Sequence, residues 1–232
     1  MVIIMDAEVT NMNEELQQTI AKEAEIIREC QAIADKHKVS KAYRLCVKVD
    51  HENSTETATA YFRKPNRVEH SAALLIERRD PLRAKEILLR AMFLEGDMRV
   101  LDNDYAFMCA SLSVPEFIHL QDTLCVDDES LKECELIAKK NNLPIVYKLS
   151  CKLDHEENDK VATAFFRKPT RTEFGESLPF NSADPHRADS IILEHSFLEG
   201  DKAILENDYA FMCAAKNVDD IVGLMYGDLK KN

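Results

Sequence analysis

Residues 58–65 read Ala-Thr-Ala-Tyr-Phe-Arg-Lys-Pro, and residues 162–169 read Ala-Thr-Ala-Phe-Phe-Arg-Lys-Pro. Outward from this pair, Phe-Leu-Glu-Gly-Asp at 93–97 returns at 197–201, and 103–110 returns unchanged at 207–214. The stretches 41–110 and 145–214 align without a gap, with 36 of 70 positions identical. The chain reads as one module duplicated, so whatever the module needs for folding or function should occur twice. The period is too long for a solenoid unit of about 20–50 residues and matches a small domain. This spacing predicts an N-terminal helical extension over 1–23, a first module over 24–120 and a second over 128–224, each with a modest core.

Each module is predicted to open with a helix. Residues 13–37 place Ile20, Ala24, Ile27 and Ala34 near one face, and 129–140 is a shorter counterpart. A hairpin follows. Tyr43, Leu45, Val47 and Val49 alternate with polar neighbours, as Tyr147, Leu149, Cys151 and Leu153 do, and period two marks a half-buried strand. The returning strands carry Ala58, Ala60, Phe62 and Ala162, Ala164, Phe166. They end at Pro65 and Pro169, because proline cannot donate to a ladder. A helix is predicted over 66–78, whereas its counterpart contains Gly175 and Pro179 and reads as irregular. Asp80-Pro81 and Asp184-Pro185 are helix starts, an acceptor at the N-cap and proline at the first position. Gly96 and Gly200 read as C-caps of those helices, Asp97 and Asp201 as caps of a short next helix. A last helix runs over 105–110 and 209–214. The fold class is therefore α+β, two tandem modules of helix, β-hairpin and several helices, with helices on one face of a small antiparallel sheet.

Hydrophobic residues make up 45% and charged residues 31% of the 232, with 5 Gly and 7 Pro, the composition of an ordered, helix-rich soluble chain. The net charge of −12 speaks against general affinity for nucleic acid or anionic lipid. No apolar run is long enough to span a bilayer, and Asp6 interrupts the opening apolar residues before a secretory signal could form. A cytoplasmic location in the host cell is expected. The 7 cysteines include no CxxC pair. Cys30 and Cys134, and Cys109 and Cys213, lie in matching apolar segments, while Cys46 and Cys151 align with Ser150 and Val47, so buried reduced thiols are expected.

Three constellations occur twice. Asp50-His51-Glu52 and Asp154-His155-Glu156 mix carboxylate and imidazole, a ligand set for a divalent cation. Their place at a hairpin tip makes a solvated turn the expected role, with no metal and no cofactor. Arg63, Lys64 and Arg67, with Arg167, Lys168 and Arg171, form the strongest repeated basic group. Joined by Arg83 and Arg187, and beside Tyr61 and Phe165, they suit a surface for an acidic partner. Pairing with Glu69, Glu173, Glu95 and Glu199 is the competing role. Asn103-Asp104-Tyr105 and Asn207-Asp208-Tyr209 look like N-caps before apolar helices, with Tyr105, Phe107, Met108 and their copies in the core. No GxSxG, P-loop, GxGxxG, HExxH or repeated Cys/His pair is present, and His70, His119, His186 and His195 each occur in one copy alone. The expectation is a non-enzyme.

The repeated pattern, carried by Phe62–Arg67, Asp80–Ala84 and Phe93–Asp97 and again by Phe166–Arg171, Asp184–Ala188 and Phe197–Asp201, resembles small tail-assembly-chaperone-like and related morphogenesis proteins of bacteriophages and prophages of Bacteroides-type hosts. It covers about 70 residues of each module. Such proteins usually carry one module; this chain has two and a long N-terminal helix. The resemblance implies a non-enzymatic protein, an assembly chaperone or virion component, that binds other phage structural or assembly proteins and has scope for self-association. The alternative from the residues is a small-molecule or metal-binding protein using the cleft between two pseudo-symmetric domains. Nucleic-acid binding is a third and weaker option.

Overall fold

Alternation and proline do set the strands. In the computed structural model, β1 (Tyr43–Lys48) pairs antiparallel with β2 (Thr57–Phe62), and β4 (Val146–Lys152) pairs antiparallel with β5 (Val161–Arg167). The structure describes residues 2–52, 55–121, 123–154 and 160–223, with 2–16 described by their backbone alone. Buried positions on β2 and β5 fall on every second residue: Ala58, Ala60, Phe62 and Ala162, Ala164, Phe166 are all 0% exposed.

A third strand joins each hairpin, β3 (Phe93–Gly96) beside β2 and β6 (Phe197–Gly200) beside β5, giving two three-stranded antiparallel sheets. This corrects the reading of Gly96 and Gly200 as helix C-caps. They are strand residues opposite Ala60 and Ala164, at φ +126° and +124°. A Cβ on either glycine would lie 2.5 Å from the facing alanine Cα, so the close crossing of two backbones demands glycine. The β3 and β6 strands follow helices α3 (Pro81–Met92) and α9 (Pro185–Ser196) with no intervening loop.

The helix signals are met at their caps. Asp80 and Asp184 accept the amides of Arg83 and Arg187 at the starts of α3 and α9. Asp97 and Asp201 accept the amides of Arg99 and Ala203, opening α4 (Arg99–Asp102) and α10 (Ala203–Glu206). Asn103 and Asn207 cap α5 (Asp104–Leu112) and α11 (Asp208–Ala215), which are followed by α6 (Val114–Ile118) and α12 (Val218–Val222). Copy one carries α2 (Arg67–Glu77), as expected. The stretch read as irregular in copy two is also helical: α8 (Arg171–Ser177) starts from a capping box, Thr170 with Glu173, like that of Asn66 with Glu69, before a 3-10 turn at Leu178–Phe180. The opening helix α1 is longer than read, Val2–His37, and crosses the expected boundary at 23/24; its counterpart is α7 (Asp128–Lys140).

The chain forms two compact units that do not follow the division at 24–120 and 128–224. Unit 1 comprises 1–64 and 89–117; unit 2 comprises 65–88 and 118 onward. In unit 1, Phe62 packs edge-on to Phe93 and against Phe117. In unit 2, Phe166 meets Phe197 in the same edge-on way, within a core that includes Leu149, Leu193, Ile204 and Phe211. Among the described residues no helix is long and apolar enough to cross a membrane.

Candidate functional site

The cations repeated in the sequence have distinct places. Arg63, at the end of β2, donates to the carbonyls of Ala91 and Lys64. Arg167 donates to the equivalent carbonyls, His195 and Lys168, and forms a two-pronged bond to Glu173 at 2.9 and 2.7 Å. Both guanidinium groups sit where the last carbonyls of α3 and α9 lack helical partners, and a cation there also meets the negative end of the helix dipole. The Arg167 bond holds the Glu173 carboxyl down at about 2. Lys64 lies over the Tyr43 ring at 5.8 Å. Lys168 and Arg171 are exposed, as is Arg187, and Arg83 forms an exposed pair with Glu86. Glu95 and Glu199 take Lys36 and Lys140 at the ends of their opening helices. Of the six cations, Arg63 and Lys64 belong to unit 1 and the other four to unit 2.

Arg67 is the member of that group with the richest setting. It docks α2 onto α10 and α11 within unit 2. Its guanidinium bonds Asp208 at 2.7 Å and the carbonyls of Leu205 and Glu206, and it lies 4.2 Å over the Phe211 ring. One turn further along α2, Ser71 donates to Asp184 at 2.6 Å and accepts the His186 amide. His70 Nδ1 and His186 Nε2 are 2.8 Å apart, and His186 Nδ1 is 3.2 Å from Asp189. His70 and His186 are 8% and 6% exposed. This is a buried polar seam whose geometry serves docking rather than nucleophilic chemistry, since the Ser71 hydroxyl points at a carboxylate and not at an imidazole. Repetition alone hid it: His70 aligns with Phe174 and His186 with Leu82.

The seam also explains a difference between the repeats. Tyr209, Phe211 and Met212 are 7%, 1% and 3% exposed, whereas Tyr105 and Phe107 are half-buried and Met108 is 49% exposed. The core assignment holds for the second set and for the first only in part. Besides α2, the segment before α7 covers α11: Tyr209 donates to the His119 carbonyl, and Asn217 ties Thr123 to the Cys213 carbonyl. Leu124 continues onto the edge of β4 through a single bridge to Leu149.

Burial, and the charge of the facing His186, push the His70 pKa down to about 4 from 6.5. Below pH 6.5 the unfolded chain takes up a proton that folded His70 refuses until about pH 4, so unit 2 loses stability as pH falls through that window. The loss reaches about 3 kcal/mol at pH 4. Asp189, whose carboxyl burial raises, titrates in the opposite sense. Denaturant melts from pH 7 to 4 should therefore show a slope that His70→Gln largely removes; an equal slope in that variant would place the acid sensitivity elsewhere.

Of the hairpin-tip ligand sets, Asp50, His51 and Glu52 form an exposed turn, with His51 3.7 Å from Asp50. Asp154 is half-buried, and His155 and Glu156 lie outside the described residues. No cluster of three or more His, Cys, Asp or Glu side chains suited to a metal ion occurs among the described residues. The thiols of Cys134, Cys151 and Cys213 are buried, Cys46 is exposed and the other three are intermediate; none is in a disulfide. Comparison of the chain with protein-family models, with curated proteins and with solved structures found no match.

Proposed function

We propose that the protein is a non-enzymatic bacteriophage or prophage morphogenesis protein, an assembly chaperone or a component of the particle, acting in the bacterial cytoplasm or in the virion by binding other proteins. The observation that carries the protein-binding part is α1. Its residues 17–29 stand largely in water, with Ile20 and Ile27 56% and 68% exposed. Seven residues apart, they share one helix face, and exposed apolar side chains at that spacing are what a partner helix or groove buries. The C-terminal part of α1 is committed locally, through Glu29, which accepts from Tyr61 and pairs with Arg44, buried Ala34, and the Lys36 and His37 contacts to Glu95. The resemblance carried by Phe62–Arg67 and its copy supplies the class of partner, a virion protein.

The test is affinity purification from host cells after prophage induction, wild type against Ile20→Glu/Ile27→Glu. Both positions are exposed, so the melting temperature should not change. Recovery of a tail or capsid protein should fall about tenfold or more in the variant. Wild-type protein that brings down no virion protein would overturn the reading.

One feature favours a ligand-binding alternative. Unit 2 has a half-open apolar cavity of about 320 Å³ between α7 and β4, lined by Leu124, Leu131, Cys134, Ala138, Ile145 and Val146 with Lys148 at its wall. That volume lies at the small end of ligand pockets. A ligand-dependent rise in melting temperature would support it.

A further inference from the structure

One polar docking contact is written twice in the sequence and made once among the described residues. Arg67 of α2 reaches Asp208, the Leu205 and Glu206 carbonyls and the face of Phe211, all within unit 2. Displaced by one repeat, the donor is Arg171 and the acceptors are Asp104, the carbonyls of Leu101 and Asp102, and Phe107. Arg171 and Asp104 are both exposed, and neither makes an ion pair or side-chain hydrogen bond among the described residues. Phe107 is half-buried where Phe211 is 1% exposed.

The helix that carries Arg171 is open on the matching side. Ser71, four residues after Arg67, is 4% exposed and bonded to Asp184. Its counterpart Gly175 is exposed, and a Cβ built there meets nothing within 4 Å. Leu178, three residues on, is 49% exposed. Positions i, i+4 and i+7 share one face. Meanwhile Phe174 and buried Ser177 hold α8 against its own unit. The outward face thus offers a guanidinium, a gap without a side chain and a leucine.

We propose that the chain associates head-to-tail with a second copy of itself, α8 of one molecule docking through Arg171 on the Asp104–Phe107 face of α5 in the next. The chemistry is that of the contact already made by Arg67: a forked cation on a carboxylate, stacked on an aromatic face, with the last carbonyls of a short helix as further acceptors. Made head-to-tail between two different patches, the contact is heterologous and propagates to a ring or a filament. It requires no virion protein and stands apart from the proposed function.

The experiment uses the full chain in sedimentation velocity, over about a hundredfold range of concentration, because association shifts with mass action. Wild type should grow in mass with concentration. Arg171→Glu and Asp104→Arg should each weaken association about a hundredfold, since each sets like charges face to face. Mixed one to one, the two variants should associate again: Arg171 of the Asp104→Arg chain meets Asp104 of the Arg171→Glu chain, and at the other ends the introduced carboxylate faces the introduced guanidinium, so heterodimers form and extend where neither variant alone associates. A wild type that stays monomeric, single variants that associate like wild type, or a mixture without heterodimers would each overturn the proposal. Arg171→Ser, which removes the cation without adding charge, serves in place of Arg171→Glu if circular dichroism shows the reversal to have perturbed the fold, and it should weaken association in the same direction.

Discussion

Gly200→Ala should cost about 4 kcal/mol in a denaturant melt, the sum of a strained backbone and an overlap that cannot relax. At φ +124° an L side chain is disfavoured before any contact is counted. The new Cβ would then sit 2.5 Å from both the Ala164 Cα and the Thr163 carbonyl oxygen. Both are backbone atoms of the central strand β5, held on their other side by β4. Gly96→Ala should behave alike in unit 1, where Ala60 and Thr59 occupy the same places. Gly175→Ala is the control with opposite sign. It lies in α8 with open space around it, and alanine there should add up to about 1 kcal/mol. Equal effects at Gly200 and Gly175 would show that the two glycines matter only through helix or strand propensity.

Phe62→Ala should cost about 3–5 kcal/mol, and Phe166→Ala a similar amount, because each empties a fully buried ring position. Phe62 has the larger expected loss. It meets two rings, Phe93 at 5.8 Å and Phe117 at 5.7 Å, and aromatic pairs add to the area term. Phe166→Leu should recover most of the loss, since it restores much of the volume. A melt unchanged by Phe62→Ala would mean that the β2 face is not the one turned inward.

The hairpins and most helix starts were legible because their causes are local. Alternation around Leu45 and Leu149, the terminating prolines at 65 and 169, and the Asp-Pro pairs act within a few residues. The third strands were not legible. Phe-Leu-Glu-Gly is too short to show a period, and what makes it a strand is the pairing of Gly96 with Ala60, 36 residues away in sequence. Helix α8 was masked by Gly175, while its capping box at Thr170 and Glu173 was there to be read. At the candidate site, Arg67 recurs as Arg171, but its acceptor Asp208 lies 141 residues on. His70 and His186 have no histidine counterpart in the other repeat. Retention in both copies reveals what each repeat needs for itself, and a contact joining unlike positions of the two leaves no such trace.

The split of unit 2 into 65–88 and 118 onward sets a timetable for biosynthesis. Helix α2 leaves the ribosome 141 residues before Asp208, the group that its Arg67 grips. At about 5–20 residues per second, that is a delay on the order of ten seconds. All of unit 1 has been made by residue 117, while His70 and Ala73 still await the helices that bury them. Closing so long a loop then adds an entropic barrier and slows the final step. A nascent chain that stops short of α11 leaves this helix ungripped, so the C-terminal end of the message decides whether an N-terminal segment is hidden from proteases.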